Sequence, residues 1–279
     1  MPELPEVETT RRGISPFIIK QTITAVTVRQ PQLRFLVSPE LNTLCIGREI
    51  LAVRRRAKYL LLDLSEGYLL NHLGMSGHLR IVDKNTVAGK HDHLDLTLSN
   101  GYILRYNDPR RFGLWLYLSS NPEHHRLLCR LGPEPLTDRF DGAYLFRQSR
   151  NKQKNIKSFI MTNEVVVGVG NIYATESLFL AGIHPLAPAR SLSLPRYERL
   201  AQCIKDVLQQ AIEAGGTTLR DFYTSDGKPG YFANQLLVYG RANKPCPKCK
   251  SLIQALAIGG RNSAFCPNCQ KPKEILGNF

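Results

Sequence analysis

The chain has 279 residues, of which 43% are hydrophobic and 22% charged, the composition of an ordinary globular protein long enough for two domains. Lysine and arginine number 37 against 23 aspartate and glutamate. The resulting charge of +14 favours a polyanionic partner, most often nucleic acid, although a charged surface also serves solubility. Apolar runs stay well below the ~18 residues of a membrane span, and no secretory signal opens the chain, so a cytoplasmic protein is predicted.

The first six residues, Met1-Pro2-Glu3-Leu4-Pro5-Glu6, have two interpretations. Proline and glutamate are favoured in the first turn of a helix, so the stretch is typical of a helix start. If Met1 is removed, however, Pro2 becomes a secondary α-amine with a pKa near ~8, partly neutral at pH 7. Such an amine can attack an electrophilic carbon and form an iminium, and Glu3 and Glu6 would then supply proton transfer and support.

A helix is predicted from Pro5 to about Ile14, because Leu4, Val7 and Ile14 follow helical spacing. Strand patterns dominate the residues after it, with an Asn100-Gly101 hairpin turn near their end. The predicted strands are residues 22–28, 50–53, 59–64, 68–72, 78–82, 94–98, 102–106 and 115–118. This part of the chain is predicted to form an antiparallel β-sandwich or flattened barrel.

A proline-rich stretch at residues 119–136 is interpreted as an interdomain linker, and helical patterns follow it. Helices are predicted near residues 141–150 and 155–162, and a long helix is expected to begin after Ser193 and end at Gly215. Residues 165–173 place two glycines and Asn171 inside an apolar run, before a further helix at residues 174–180. This is either a helix-turn-helix that binds a phosphate at its second helix start or an ordinary αα-hairpin.

The seven cysteines fall into two groups. Three are scattered among apolar neighbours and are expected to be buried thiols: Cys45, Cys129 and Cys203. The other four, Cys246, Cys249, Cys266 and Cys269, have the C-x2-C-x16-C-x2-C spacing of a tetrahedral site for one structural Zn²⁺, with a redox-active dithiol pair as the alternative. Such a zinc would hold the intervening hairpin, where Arg261 suits a phosphate contact.

Several motifs in one order make the chain resemble bacterial formamidopyrimidine-DNA glycosylases of the Fpg/Nei family. The motifs are Met1–Thr9, Arg55–Leu60, His72–Gly77, Asp108–Gly113, Gly168–Ala174, Gly215–Leu219 and Val238–Arg241 leading into the cysteine pairs. The resemblance covers nearly the whole chain. The resemblance implies an α+β fold of two domains. The N-terminal domain is expected to be an antiparallel β-sandwich with an N-terminal helix. The C-terminal domain is expected to be helical, with a helix–two-turn–helix and a zinc-finger β-hairpin that has four cysteine ligands. The expected bounds are 1–118 for the catalytic β-sandwich, 119–136 for the linker, 137–233 for the helical domain and 234–270 for the zinc finger.

The resemblance also implies an activity. The chain is expected to remove oxidised purines (8-oxoguanine and formamidopyrimidines) from double-stranded DNA and to nick the abasic site by β,δ-elimination, as a monomer. Pro2 is implied to attack the sugar C1′, Glu3 to protonate the sugar or departing group, and Glu6 to support them. Lys58, which we expect in a strand, is implied to serve β-elimination, and Arg261 to serve δ-elimination.

Further positions match family residues that contact DNA. These are His72, His91, Arg110, Lys152, Asn171 and Tyr239. Met75, Arg110 and Phe112 are implied to fill the gap left by a flipped nucleotide. Residue types alone also fit a solvated charge for Lys58 and a core position for Phe112, and they favour a core position for Met75. A lesion-recognition loop is expected at residues 217–231.

Two alternatives to the removal of oxidised purines remain open. The chain could be an endonuclease VIII-like enzyme for oxidised pyrimidines, or a non-catalytic binder of damaged DNA.

Overall fold

The computed structural model describes residues 2–216 and 232–271, so the expected lesion-recognition loop at 217–231 lies outside the described residues. The chain divides into two compact units. Unit 1 comprises Met1–Arg130 and Ile212–Ala233, and unit 2 comprises Leu131–Ala211 and Asn234–Phe279. None of the helices in the described ranges has the length and apolar character that crossing a bilayer requires.

Unit 1 is built mainly from strands, and it opens with the helix α1, Leu4–Ile18. Its strands are β1 (Ile23–Val28), β2 (Ile50–Arg56), β3 (Tyr59–Leu64), β4 (Tyr68–His72), β5 (His78–Asp83), β6 (Asp92–Leu98), β7 (Tyr102–Asn107) and β8 (Leu114–Leu118), with a short helix α2 at Leu41–Leu44. They form two antiparallel four-stranded sheets, ordered β1-β6-β7-β5 and β2-β3-β4-β8. The predicted β-sandwich is therefore confirmed.

The core of unit 1 contains side chains from both sheets and from one face of α1. Val7, Ile14 and Ile18 of the helix are fully buried in the same cluster as Leu60 and Trp115. Burying that apolar stripe gives α1 a stability that its sequence lacks in isolation, because short single helices are marginal in water. The start of the chain is thereby fixed to the sheets.

Polar side chains of β6 are buried as well as its apolar ones. Asp95 accepts hydrogen bonds from both Nε and Nη2 of Arg105, each at 2.9 Å, and a further one from Arg29 at 2.7 Å. Arg105 is only 2% exposed. A bidentate geometry of this kind offsets the cost of removing two charges from water.

Unit 2 combines helices with one β-hairpin. The helices are α3 (Gly142–Ser149), α4 (Ile156–Ile160), α5 (Asn171–Ala181) and α6 (Leu194–Glu213), and the hairpin strands are β9 (Gln254–Ile258) and β10 (Arg261–Phe265). The apolar residues of α6 that follow helical spacing are buried: Leu200, Ile204, Val207, Leu208 and Ala211. Helix α5 begins at Asn171, three residues earlier than the sequence pattern indicated.

A salt-bridge cluster anchors α1 to the sheet beneath it. The Glu8 carboxylate accepts from Arg11 and Arg12 on the same helix, at 2.8 and 2.9 Å, and from Nε of Arg55 on β2 at 3.2 Å. Burial opposes ionisation of Glu8, but the hydrogen bonds and charges of these arginines outweigh it and lower the pKa of Glu8 to about 2.

Glu8→Gln should therefore destabilise unit 1 at neutral pH. The group has a folded pKa of about 2 against an ordinary value of 4.5, so its contribution is present above pH 4.5 and is lost as pH falls toward 2. We expect a loss on the order of 2–3 kcal/mol at pH 7 in denaturant unfolding, shrinking to nothing near pH 2. Glu66→Gln, at an exposed ion pair with Arg48, is the control and should change little. A Glu8 effect that does not vary with pH would contradict this assignment.

Candidate functional site

Helix α1 fixes the candidate nucleophile and its carboxylates at one end of unit 1. Pro2 is buried, and Glu3 and Glu6 are each only 2% exposed. Oε2 of Glu6 accepts a hydrogen bond of 2.8 Å from the backbone N–H of Glu3, which satisfies a donor that a helix start otherwise leaves open. Glu6 therefore holds the backbone of Glu3 in place.

Lys58 lies in the two-residue turn between β2 and β3, so the expectation that it lies in a strand was wrong. Arg56 at the end of β2 pairs with Tyr59 at the start of β3 across that turn. Ala57 adopts a left-handed conformation with φ of +54°, which is unusual for a residue with a Cβ. Its carbonyl accepts a hydrogen bond of 3.0 Å from Nη1 of Arg55, which holds the turn in this conformation. The turn projects a half-buried lysine from the sheet, rather than a fully solvated one.

His72 ends β4 with a defined protonation state. Its Nδ1 accepts a hydrogen bond of 2.9 Å from the backbone N–H of Gly74, so Nε2 carries the proton and remains a donor. Burial, reinforced by the positive charges of Lys58 and Arg34, lowers the pKa of His72 to about 4. His72 is thus a neutral hydrogen-bond donor at physiological pH.

The three residues expected to fill a gap in DNA lie on neighbouring loops of unit 1. Phe112 is 44% exposed and Met75 half-buried, so neither is part of the core. The guanidinium of Arg110 lies 4.9 Å from the centre of the Phe112 ring, a favourable cation–π distance. His91, half-buried, precedes β6 and accepts at its backbone carbonyl from Asp108 N–H.

Unit 2 places its candidate phosphate-binding residues around a buried ammonium group. Nζ of Lys157 donates to Oδ1 of Asn171 at 2.7 Å and to Oγ of Ser263 on β10 at 2.6 Å. Nδ2 of Asn171 in turn donates to the carbonyl of Asn262 at 3.1 Å. The first residue of α5 is therefore tied to the strand that carries Arg261. Lys157 lies close in the sequence to the exposed Lys152 and Lys154 but is itself only 1% exposed.

Arg261 and Lys152 are both exposed, and Arg261 directly follows the hairpin turn. That turn consists of Gly259 and Gly260, whose φ angles of +55° and +73° are those of a two-residue hairpin with both residues left-handed. Arg261 pairs with Ile258 across the hairpin, so its guanidinium is presented at the tip.

Glu176, a residue that sequence reasoning missed, anchors the segment before the zinc finger. Its carboxylate accepts three backbone N–H groups in succession, from Leu237, Val238 and Tyr239, at 2.8, 3.0 and 2.8 Å. Burial raises the pKa of Glu176, and the three donors oppose that effect. A glutamate inside the apolar helix α5 was the available signal. The contact fixes the backbone of Tyr239, a predicted DNA contact.

The four cysteines predicted to bind zinc converge in unit 2. Their Sγ atoms all lie within 4.8 Å of one another, with 3.9 Å between Cys246 and Cys269 and 3.4 Å between Cys249 and Cys266. Zinc bound tetrahedrally at about 2.3 Å requires sulfur–sulfur distances of roughly 3.8 Å, so the donor set fits one structural Zn²⁺. Of the remaining thiols, Cys45 is buried, but Cys129 is exposed and Cys203 half-exposed, so the prediction that all three are buried was wrong.

Comparisons with known proteins agree with this architecture. Three family models match consecutive parts of the chain: the formamidopyrimidine-DNA glycosylase N-terminal domain at residues 1–115, the H2TH domain of the same glycosylase at 131–223, and a zinc finger found in FPG and IleRS at 243–272. The fold and its cysteine cluster therefore define a β-sandwich protein with a helix–two-turn–helix and a zinc finger.

Formamidopyrimidine-DNA glycosylases are among the proteins that resemble this chain over nearly its whole length. Formamidopyrimidine-DNA glycosylases of Legionella pneumophila and Haemophilus influenzae are each 57% identical to the chain, which they match over 97% of its length and over 98% and 99% of their own. A Lactococcus lactis FPG mutant in complex with Fapy-dG-containing DNA has a TM-score of 0.90 at 34% identity, covering 97% of this chain and all of that one. MutM (FPG) from Thermus thermophilus gives 0.87 at 39%, over 96% and 98%. The chain belongs to the formamidopyrimidine-DNA glycosylase family.

Cys269→Ser should release the metal and unfold the zinc finger without affecting unit 1. Ligand energy in such small sites is folding energy, so the amide protons of the β9–β10 hairpin should lose protection from hydrogen exchange. Elemental analysis should find one zinc per wild-type chain and much less in the variant. Cys203→Ser, a thiol outside the cluster, is the matched control and should keep the metal. Full hairpin protection in a zinc-free protein would contradict this role.

Proposed function

We propose that this chain is a bifunctional DNA glycosylase and abasic-site lyase that removes oxidised purines, working as a monomer on duplex DNA in the cytoplasm. The observation that carries the proposal is the start of α1, where Pro2 precedes two almost fully buried carboxylates on a helix fixed to the sheets. Relatives support the substrate class. One solved structure of Lactococcus lactis Fpg contains abasic-site DNA, and a MutM structure contains carbocyclic 8-oxo-G DNA.

The first chemical step is displacement of the damaged base. After Met1 is removed, the neutral Pro2 amine attacks C1′, the C1′–N bond breaks, and the base leaves with the bonding electrons. The nitrogen then loses its proton, Glu3 supplies a proton to the sugar ring oxygen or the departing group, and the C1′–O4′ bond breaks to give the ring-opened Pro2–C1′ iminium. Because Glu3 is buried, its surroundings have a low dielectric constant, which strengthens these electrostatic effects.

Elimination follows from the iminium. The iminium makes the C2′ proton acidic, and its removal expels the 3′ phosphate in the β step. Removal of the C4′ proton then expels the 5′ phosphate in the δ step, and hydrolysis of the remaining iminium by water frees Pro2. Lys58, on its fixed turn, is proposed to serve the β step, and Arg261, at the hairpin tip, the δ step. His72, His91, Lys152, Asn171 and Tyr239 are proposed to bind the DNA backbone, and His72 does so as a neutral donor.

A substrate panel tests the function. Duplexes carrying 8-oxoguanine, a formamidopyrimidine, an oxidised pyrimidine or no lesion are incubated with the protein, and base release and strand cleavage are measured separately. The proposal predicts fastest release from the two purine lesions and a product with phosphates at both ends of the gap. Fastest release from the oxidised pyrimidine would favour the endonuclease VIII-like activity, and binding without release would indicate a non-catalytic binder.

Glu3→Gln should separate base excision from strand cleavage. The amide keeps the shape of the side chain but cannot donate a carboxylic proton, so base excision should fall by about 10²–10⁴-fold. Cleavage of a preformed abasic site, from which no base departs, should fall far less. Single-turnover rates on both substrates measure the difference, and Glu66→Gln serves as an acid-to-amide control on the surface. Equal losses on the two substrates would show that Glu3 also serves elimination.

Lys157 and Lys152 should differ in their effects on DNA binding although both are lysines of unit 2. Lys152→Met removes an exposed charge, so the slope of log K against log salt should fall by about 0.9. Lys157→Met removes the buried donor that holds Asn171 and Ser263 in place. The affinity for DNA should therefore drop by roughly tenfold, while the salt slope stays unchanged. Salt titrations of both variants on one duplex provide the comparison. A slope change for Lys157→Met would mean that this ammonium contacts phosphate itself.

A further inference from the structure

One buried hydroxyl joins the two loops that carry the proposed gap-filling residues. We call residues 73–77 the Met75 loop and residues 108–113 the Phe112 loop. Oγ of Ser76 donates to Oδ1 of Asp108 at 2.7 Å and accepts from the backbone N–H of Arg110 at 3.2 Å. Ser76 is only 4% exposed. The residue next to Met75 is therefore bonded to both the start and the middle of the Phe112 loop.

Asp108 extends this connection to the end of its own loop. It is fully buried, and its second oxygen accepts from the hydroxyl of Tyr106 and from the backbone N–H of Gly113, each at 2.9 Å. Its backbone carbonyl lies 2.8 Å from Nε2 of His93. Burial, together with the Asp108 carboxylate, raises the pKa of Tyr106, which keeps its phenol a donor. A buried polar group bonded on this many sides has one favourable position.

The loops are also in direct backbone contact. Gly74 has a φ of +70°, and a Cβ there would lie 2.5 Å from the backbone of Phe112 and Gly113. A Cβ on Gly113 would lie 1.7 Å from the hydroxyl of Tyr106. The close approach of the two loops requires a glycine at Gly74, so the Met75 loop cannot shift far without the Phe112 loop, while Gly113 is required by its contact with Tyr106 of β7.

We propose that Ser76 is a positioning residue that couples the two loops, so that Met75, Arg110 and Phe112 enter an opened base stack as one rigid unit. The inference rests on the proposed function, because it assumes that these three side chains fill the gap. Without the Ser76 hydroxyl, the Met75 loop and the Phe112 loop would have to be ordered separately when DNA binds. That ordering costs conformational entropy only when the side chains fill the space left by a flipped-out nucleotide. The preference for DNA with such an opened base stack should therefore fall, while the affinity for undamaged DNA remains.

Binding of two duplexes measures that preference. One duplex carries a tetrahydrofuran abasic-site analogue, the other is undamaged, and the ratio of the two affinities is determined for wild type and variants. Ser76→Ala should lower the ratio by about fivefold, the factor of one ordinary hydrogen bond, with an unchanged salt slope. Ser76→Cys keeps the size of the side chain and weakens the bond, so it should show the same direction even if the alanine variant folds poorly. Ser38→Ala, which removes a hydroxyl bonded to Tyr117 N–H elsewhere in unit 1, should leave the ratio unchanged.

A double-mutant cycle tests the coupling itself. In the wild-type background, Met75→Ala and Phe112→Ala should together lower the ratio by less than the product of their separate effects, because losing one filler already impairs the unit. In the Ser76→Ala background the two effects should multiply. Multiplying effects in wild type, or an unchanged ratio in both Ser76 variants, would overturn the inference. If instead the Met75 and Phe112 single variants do not lower the ratio, their proposed gap-filling role is wrong.

Discussion

The proposed mechanism requires a terminal amine that is held in place, and the Glu8 cluster meets this constraint. Terminal residues ordinarily fray, which would prevent a terminal amine from reaching a fixed geometry. Here α1 buries an apolar face in the β-sandwich, and the Glu8 carboxylate bonds two arginines of the helix and Arg55 of β2. Arg55 also holds the carbonyl of Ala57, the residue before Lys58. One anionic side chain therefore connects the helix of the proposed nucleophile to the turn of the proposed β-elimination lysine.

The basic residues of the chain serve two different purposes, and burial distinguishes them. Arg105 and Lys157 are almost fully buried and hold β6 and the β10 strand through carboxylate, amide and hydroxyl partners. Arg110, Lys152 and Arg261 are exposed and available to a polyanion. The net charge of +14 thus overstates the number of groups that can contact phosphate, since some of the cations are structural.

The sequence predicted the architecture well because its signals are local. Short apolar, strand-like segments predicted β3 and β4 with their observed bounds, and the cysteine spacing identified a donor set that the fold brings together. It failed where partners are distant along the chain. Lys157 acquires its role from Ser263, 106 positions away, and Asp95 is buried because Arg105 comes from another strand. No turn was predicted at Lys58, because the left-handed conformation of Ala57 depends on Arg55 and has no glycine to signal it.

The most direct test of the account is borohydride trapping followed by peptide mapping. An iminium between Pro2 and C1′ is reduced to a stable amine, so the wild-type protein should become covalently linked to 8-oxoguanine duplex, with the adduct on the peptide that begins at residue 2. A protein with an uncleavable N-terminal extension should bind the same duplex but form no adduct. An adduct on Lys58, or full trapping by a protein that mass spectrometry shows to retain Met1, would contradict the central role of the Pro2 amine.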